Sequence, residues 1–283
     1  MKTLDYGNPL KHGKSQRRGL QARPARPACQ GEALFGVHPV QEMLRAGRRH
    51  CSAIWIASGQ DQRRMAEVQA LAGKHGIPIQ RVTAEQLESR CGDGRHQGVV
   101  ADVSGFPYTE LETILPPTPE DDRSAAFLLA LDSISDPQNF GAILRTAQCT
   151  GVEAVLLPKD RSVRPTPTVS KASAGALEHT RLIQITNLAN TLDQLKAGGF
   201  WVAGTDATAG NSLFENDLTG RLVIVIGSEG KGMRPLVRQK CDYLLAIPQV
   251  GRIDSLNASA AAAVVLYEAF RQRNSAGSGP GYC

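Results

Sequence analysis

From Ala33 to about Val103, short apolar runs alternate with stretches whose apolar residues recur every three or four positions. HPVQEMLRAG predicts a helix ending at Gly47, and QRRMAEVQALAGKHG an amphipathic helix stopped by Gly76. SAIWIA, IPIQRV and QGVVADV predict strands, with TAEQLESR as a short capped helix before the last of them. This is the pattern of a small α/β domain, residues 33–103. The next segment, SGFPYTELETILPPTPEDDRS (104–124), is rich in proline and charge and predicts a linker. From Ala125 the alternation resumes more strongly. AFLLALD, EAVLLP, RLIQI, FWVAGTD, RLVIVIG and YLLAIP are strand candidates with helical stretches between them, led by NFGAILRTAQCTG. A long alanine-rich helix, NASAAAAVVLYEAFRQR, closes this domain at about residue 274 and leaves 275–283 as a flexible tail. Near-continuous apolar strands alternating with helices predict a mostly parallel sheet covered on both faces.

In open sheets of this kind, ligands bind beyond the carboxyl ends of the strands. The loops after Asp132, Thr205, Ile226 and Ile247 are therefore where chemistry should sit. The loop GSEGKGMRP has neither the spacing of a phosphate-cradling G-x-x-x-x-G-K-[ST] nor that of a dinucleotide G-x-G-x-x-G. Glu229 also places a carboxylate inside it, which opposes phosphate. The loop suits a ligand that is neutral or cationic at its contact atoms, such as S-adenosylmethionine; a plain glycine turn feeding a helix explains it equally. In LDSISDPQNFGAILRTAQCTG, Asn139 reads as a helix cap. Arg145 lies among Ile143, Leu144 and Ala147, where an arginine can simply snorkel to solvent. In IPQVGRIDSLNASAAAAVVLYE, Ser255 and Asn257 read as caps of the last helix, in a cluster of small polar residues larger than a cap requires.

Composition narrows the partners. The formal net charge of +5 suits a polyanion. Aromatic residues are only 5%, which argues against recognition built mainly on base-stacking platforms. Residues 1–32 carry Lys2, Lys11, Lys14, Arg17, Arg18, Arg23 and Arg26 against Asp5, with no apolar periodicity. They read as a disordered tail: an RNA-grasping arm, a solvated extension, or a transit peptide. No apolar stretch approaches the roughly 20 residues that span a bilayer. The six scattered cysteines form no C-x-x-C pair and read as reduced thiols, core filler or idle surface groups. The expected location is cytoplasmic, or organellar if the tail is a presequence. The six histidines show no metal-site spacing.

Taken together, DPQNFGAILRTA, IGSEGKGM and IPQVGRIDSLNASAAAAVVLYE resemble, in order, the three motifs of the SpoU–TrmH family of RNA ribose 2′-O-methyltransferases. FGVHPVQEML and RHQGVVADV resemble the ribosomal-protein-like RNA-binding domain of the branch that modifies a guanosine in large-subunit (23S-type) ribosomal RNA. The resemblance implies a trefoil knot in the carboxyl-terminal α/β domain, which periodicity does not predict. It implies a homodimer whose active site draws on both chains, and ribosomal RNA as partner. It implies S-adenosylmethionine held by Gly204, Thr205, Gly227, Ile247 and Leu256, with no metal, because the sulfonium already activates the methyl group. It places Arg145 nearest the chemistry, with Asn139, Glu229, Ser255 and Asn257 around it, and His38, His96 and Gln97 toward RNA. Each histidine also reads as an ordinary loop or capping residue. A family proposal makes the arginine a general base. A guanidinium stays protonated in proteins, so we read Arg145 instead as a cation that acidifies the ribose hydroxyl and holds the adjacent phosphate. Two other functions compete: the same chemistry on transfer RNA, and an RNA-binding protein that has lost catalysis. A separate amino-terminal domain argues against the first, and the intact motif residues against the second.

Overall fold

The computed structural model describes residues 31–92, 95–115, 126–251 and 255–276. Most of the tail expected over 1–32, the second half of the linker and the end of the carboxyl-terminal tail lie outside the described residues.

The amino-terminal unit contains β1 (Glu32–Phe35), α1 (Val37–Ala46), β2 (Cys51–Ala57), α2 (Gln62–Lys74), β3 (Ile79–Val82), α3 (Ala84–Cys91) and β4 (Val99–Val103). Its mixed sheet has the order β1-β4-β2-β3. Two of the helix boundaries read from sequence have clear physical causes. Gly47 ends α1 in the left-handed region at φ 60°. Thr83 and Gln86 form a reciprocal capping box at the start of α3. Two corrections follow. Glu32, assigned by sequence to the tail, begins β1, an edge strand of four residues that is too short to show a period. The start of the proline-rich segment is not a free linker either. Phe106 and Tyr108 meet edge to face, Leu111–Thr113 form a 3-10 turn, and Ile114 is buried in the core of the second unit. Its few apolar residues outweigh its prolines.

The second unit begins at β5 (Phe127–Asp132) and continues with α4 (Pro137–Cys149), β6 (Ala154–Pro158), α5 (Pro167–Ala172), α6 (Ala176–His179) and β7 (Leu182–Ile185). Then come α7 (Leu188–Ala197), β8 (Trp201–Thr205), β9 (Leu222–Gly227), α8 (Pro235–Lys240), β10 (Tyr243–Leu245) and α9 (Ala258–Ala276). The last helix thus runs slightly past the boundary expected at 274. All six strands are parallel, in the order β10-β8-β9-β5-β6-β7. Period-two alternation divides the core between the two faces. Phe127, Leu129 and Leu131 of β5 join α4 and α9 on one face. Leu128 and Ala130 join α7 and α8 on the other. Strands buried on both sides are why the sequence reads as unbroken apolar runs.

The two units meet through charge. Arg49 and Glu178 have side chains only 1% exposed, with Arg49 Nη1 3.5 Å from Glu178 Oε1. Arg49 also donates to Ser104 O and Glu32 Oε2, and Ser170 Oγ donates to Glu178 Oε1. Burial pushes the Glu178 carboxyl above its ordinary range, against the pull of Arg49. At the edge of this contact His179 Nε2 lies 2.8 Å from Glu42 Oε2. Removing one partner of such a pair strands the other's charge, whereas replacing both by apolar groups is close to neutral. Arg49→Met is expected to cost about 3 kcal/mol, with at least half of the loss restored in Arg49→Met/Glu178→Met. A urea-denaturation double-mutant cycle measures both.

Candidate active site

The site assembles where β9, β5 and the start of α9 converge. The parallel register sets Asp132, the last residue of β5, opposite Gly227, the last residue of β9. Asp132 is fully buried. Its Oδ2 accepts the main-chain N–H of Arg234 at 2.7 Å and its Oδ1 accepts Arg234 Nε–H at 2.7 Å. The far end of the β9 loop is thereby tied back to β5. Between these anchors the chain doubles over. Ser228 N–H donates to Gly232 O, and Gly232 N–H to Ser228 O. Gly227 lies under the fold, where a Cβ would come within 2.3 Å of both Gly232 C and Met233 N. Only glycine permits that approach. The doubled loop lifts Glu229 to its exposed tip.

Asn139 is not the cap that the sequence suggested. Asp136 caps α4 by accepting Asn139 N–H at 2.8 Å, with Pro137 in the first turn. This places Asn139 within the first turn of the helix and leaves its amide free to turn to the loop. Asn139 Nδ2 donates to Glu229 Oε2 at 3.4 Å. Asn257 does cap α9, its Oδ1 accepting Ser259 N–H at 2.9 Å. Its other end, Nδ2, donates to Asn139 Oδ1 at 2.9 Å and to Glu229 Oε2 at 3.4 Å. Three residues read from three separate motifs therefore form one hydrogen-bonded cluster, in which a carboxylate accepts from two amides. Ser255 is exposed, two residues before Asn257, with no hydrogen bond among the described residues. Arg145 lies exposed on α4 and makes no hydrogen bond or ion pair among the described residues, so it stands outside the cluster within one chain.

The residues expected to hold a cofactor lie on the neighbouring strand ends. Gly204 is inside β8 with Cys241 Sγ and Met233 Cε where a Cβ would stand, each at 2.7 Å. Thr205 Oγ1 donates to Val225 O. Ile247 follows β10, whose exit is tied to the β8 loop by Leu213 N–H donating to Ala246 O at 2.8 Å. Leu256 is 38% exposed. In the amino-terminal unit Gln97 Oε1 accepts Val37 N–H at 3.1 Å, and His96 Nδ1 accepts Gly98 N–H. His38 is exposed on the first turn of α1. His96, Gln97 and His38 thus share one edge of their sheet. Lys171 of α5 reaches the same edge by donating to Arg95 O at 2.8 Å. Sequence reasoning missed Asp132 and Arg234. A strand ending in a lone aspartate, LLALD, was the available signal.

Two family models match the chain. The SpoU rRNA Methylase family covers residues 126–267, and a model for RNA 2′-O ribose methyltransferase substrate binding covers 33–109. The chain belongs to the SpoU methylase family. It is 42% identical to the putative TrmH family tRNA/rRNA methyltransferase YacO of Bacillus subtilis, over 88% of this chain and 98% of that protein. It is 41% identical to the 23S rRNA (guanosine-2′-O-)-methyltransferase RlmB of Pseudomonas putida, over 86% and 97%. Among solved structures, a putative RNA methyltransferase of the TrmH family from Porphyromonas gingivalis aligns with TM-score 0.67 and 28% identity, over 87% of this chain and 90% of that one. The SpoU methyltransferase AviRb of Streptomyces viridochromogenes, in complex with the cofactor AdoMet, shares the fold with TM-score 0.72 at 24% identity, over 86% and 90%.

Two outcomes test the local account. Asn257→Ala removes a helix cap and is expected to cost about 1 kcal/mol; Asn257→Ser keeps a capping oxygen and restores most of that, while both variants lose the amide contacts to Glu229. Thermal melts of the two variants check it. Burial pushes the Cys241 thiol up to about 12 and the Cys51 thiol up to about 11, so little thiolate is present near neutrality. Peptide mapping after brief alkylation is expected to show exposed Cys149 modified well before either.

Proposed function

We propose that this protein transfers a methyl group from S-adenosylmethionine to the ribose 2′-hydroxyl of a guanosine in large-subunit ribosomal RNA. The observation that carries the reading is the Asn139–Glu229–Asn257 cluster at the carboxyl end of a parallel sheet, in a chain that matches a 23S rRNA guanosine methyltransferase along nearly its whole length. The matched length includes residues 33–109, the substrate-binding module. We therefore take 33–103 as the RNA-binding unit and 125–274 as the catalytic one.

The residues present fit the cofactor. Glu229 offers a carboxylate to a sulfonium, Asn139 and Asn257 are neutral, and half-buried Ile247 and exposed Leu256 offer apolar contact to an adenine. When bound, S-adenosylmethionine supplies an already electrophilic methyl group. The chain's own task is then alignment and charge. Arg145 sets a permanent cation beside the ribose, favouring the ionised hydroxyl and holding the adjacent phosphate, and the proton leaves to a neighbouring group or water. Glu229, fixed by its two amides, orders the loop over the reacting atoms. Ser255 and Asn257 orient the last loop. His38, His96 and Gln97 face RNA from the amino-terminal unit.

The same reading includes the knot and the dimer. α9 shares a core face with α4 although it follows edge strand β10, so the chain recrosses the sheet after its last strand. We read this return as part of a trefoil knot, in which the returning segment also threads a loop. α9 also leaves Tyr267 51% and Val264 36% exposed. A second copy seated on this face, near α4, would complete a site that Arg145 does not join within one chain.

The test is methyl transfer from labelled S-adenosylmethionine to unmodified large-subunit ribosomal RNA and unmodified transfer RNA in parallel, with product nucleosides identified by mass spectrometry. The expected product is 2′-O-methylguanosine in the ribosomal RNA. Label confined to transfer RNA would support the second reading, which the name of the Bacillus subtilis relative also admits. RNA shifted in a gel without any methyl transfer would mark a binding protein. Arg145→Lys is expected to lower turnover about a hundredfold if the planar guanidinium matters; near-normal turnover would leave only its charge.

A further inference from the structure

A cavity of about 750 Å³ opens beside Glu229, on the side of the sheet where β9, β5 and β6 end. By strand order it lies across Glu229 from Thr205, which ends β8, and Ile247, which follows β10. It shares the loop of the second motif with the cofactor side, but its wall from Arg161 to Val163 belongs to no motif.

Its lining is divided between committed and free groups. Ser133 Oγ donates to Asp132 Oδ1, Ser228 Oγ to Gly232 O, and Arg234 Nε to Asp132. Glu229, a lining carboxylate, already accepts from Asn139 and Asn257. The groups left free are two cations and two hydroxyls, beside Glu229 Oε1, which accepts no hydrogen bond among the described residues. Arg161 and Lys231 are exposed and make no ion pair among the described residues. Ser162 Oγ is buried against the cavity without a hydrogen-bond partner among the described residues, and Ser135 is likewise unbonded. The loop carrying Arg161 is held in place, not merely draped. Val163 N–H donates to Ile134 O at 2.9 Å, Lys159 N–H to Ile185 O at 2.8 Å, and Arg161 adopts φ 59°. A non-glycine residue in that region costs energy, so the surrounding bonds must impose it.

Two unpaired cations, one on a held loop, and two unengaged hydroxyls around one space match an anion with several oxygens. We propose that the cavity seats a second RNA phosphodiester, distinct from the one assigned to Arg145, held by Arg161, Lys231, Ser162 and Ser135 with the charge of Glu229 drawn off toward Asn139 and Asn257. The proposal rests on the RNA methyl-transfer reading. The carboxylate of the cofactor is the other anion that could reach the site, and the test separates the two.

The variant is Arg161→Asn/Lys231→Gln, asparagine being chosen because it tolerates positive φ. Affinity for an unmodified ribosomal RNA fragment is measured across a salt series, and affinity for S-adenosylhomocysteine by calorimetry. RNA binding is expected to weaken roughly tenfold or more. The slope of log affinity against log salt should fall by about 0.7 for each lost contact on single-stranded RNA, and S-adenosylhomocysteine affinity should stay unchanged. Ser162→Ala should weaken RNA binding with no change of slope. Unchanged RNA affinity and slope would overturn the proposal, as would a loss confined to S-adenosylhomocysteine. Failure of the wild-type protein to methylate any RNA would instead count against the functional reading, because the binding measurements do not depend on turnover.

Discussion

A buried carboxylate organises the catalytic half of this molecule. Asp132 ends the central strand of a parallel sheet and accepts both a main-chain and a guanidinium N–H of Arg234. A charge at that depth is tolerable only when it is paired and hydrogen-bonded. The pairing reaches across 102 residues of sequence to fix the end of the β9 loop. With that end fixed and Gly227 beneath it, the intervening residues must double back, and Glu229 is held at the tip. Asn139 and Asn257 then meet a carboxylate in a set position. The cavity on the other side of the loop is bounded by the same anchor, through Ser133 and Arg234.

Much of this was legible in the chain itself. The parallel strands announced themselves because the inner ones, β5, β6 and β9, are buried on both faces, and their carboxyl ends marked where chemistry should gather. Family motifs supplied Asn139, Glu229 and Asn257 together. Local reasoning alone misjudged Asn139, since Asp136 with Pro137 makes a competing cap three residues earlier, and one-dimensional rules cannot rank two adjacent candidates. β1 escaped notice because a four-residue edge strand borrows its stability from β4. Asp132 was marked only as a strand end and Arg234 not at all, because their bond is purely tertiary and an arginine by itself resembles any surface arginine. The free donors at Arg161 and Ser162 belong to the same class.

Asn257 shows how few atoms separate folding from function here. One end of its side chain caps α9 and the other reaches Asn139 and Glu229. The asparagine amide suits this double task because it carries an acceptor and donors on opposite branches. A serine or aspartate could cap the helix, but neither could also donate two bonds to the loop. The stability of the last helix and the geometry of the cluster therefore share a side chain.

The contact between the two units has a different character. Arg49 and Glu178 are buried together, yet each would regain hydration if the units parted, so their pairing contributes more to the choice of arrangement than to its strength. Such a contact behaves as a latch with one keyed position. In the alignment seen here each of the two buried charges has its partner. The edge bearing His38 and Gln97 is thereby set at one offset from α4, with the buried charges serving as the gauge block for that spacing.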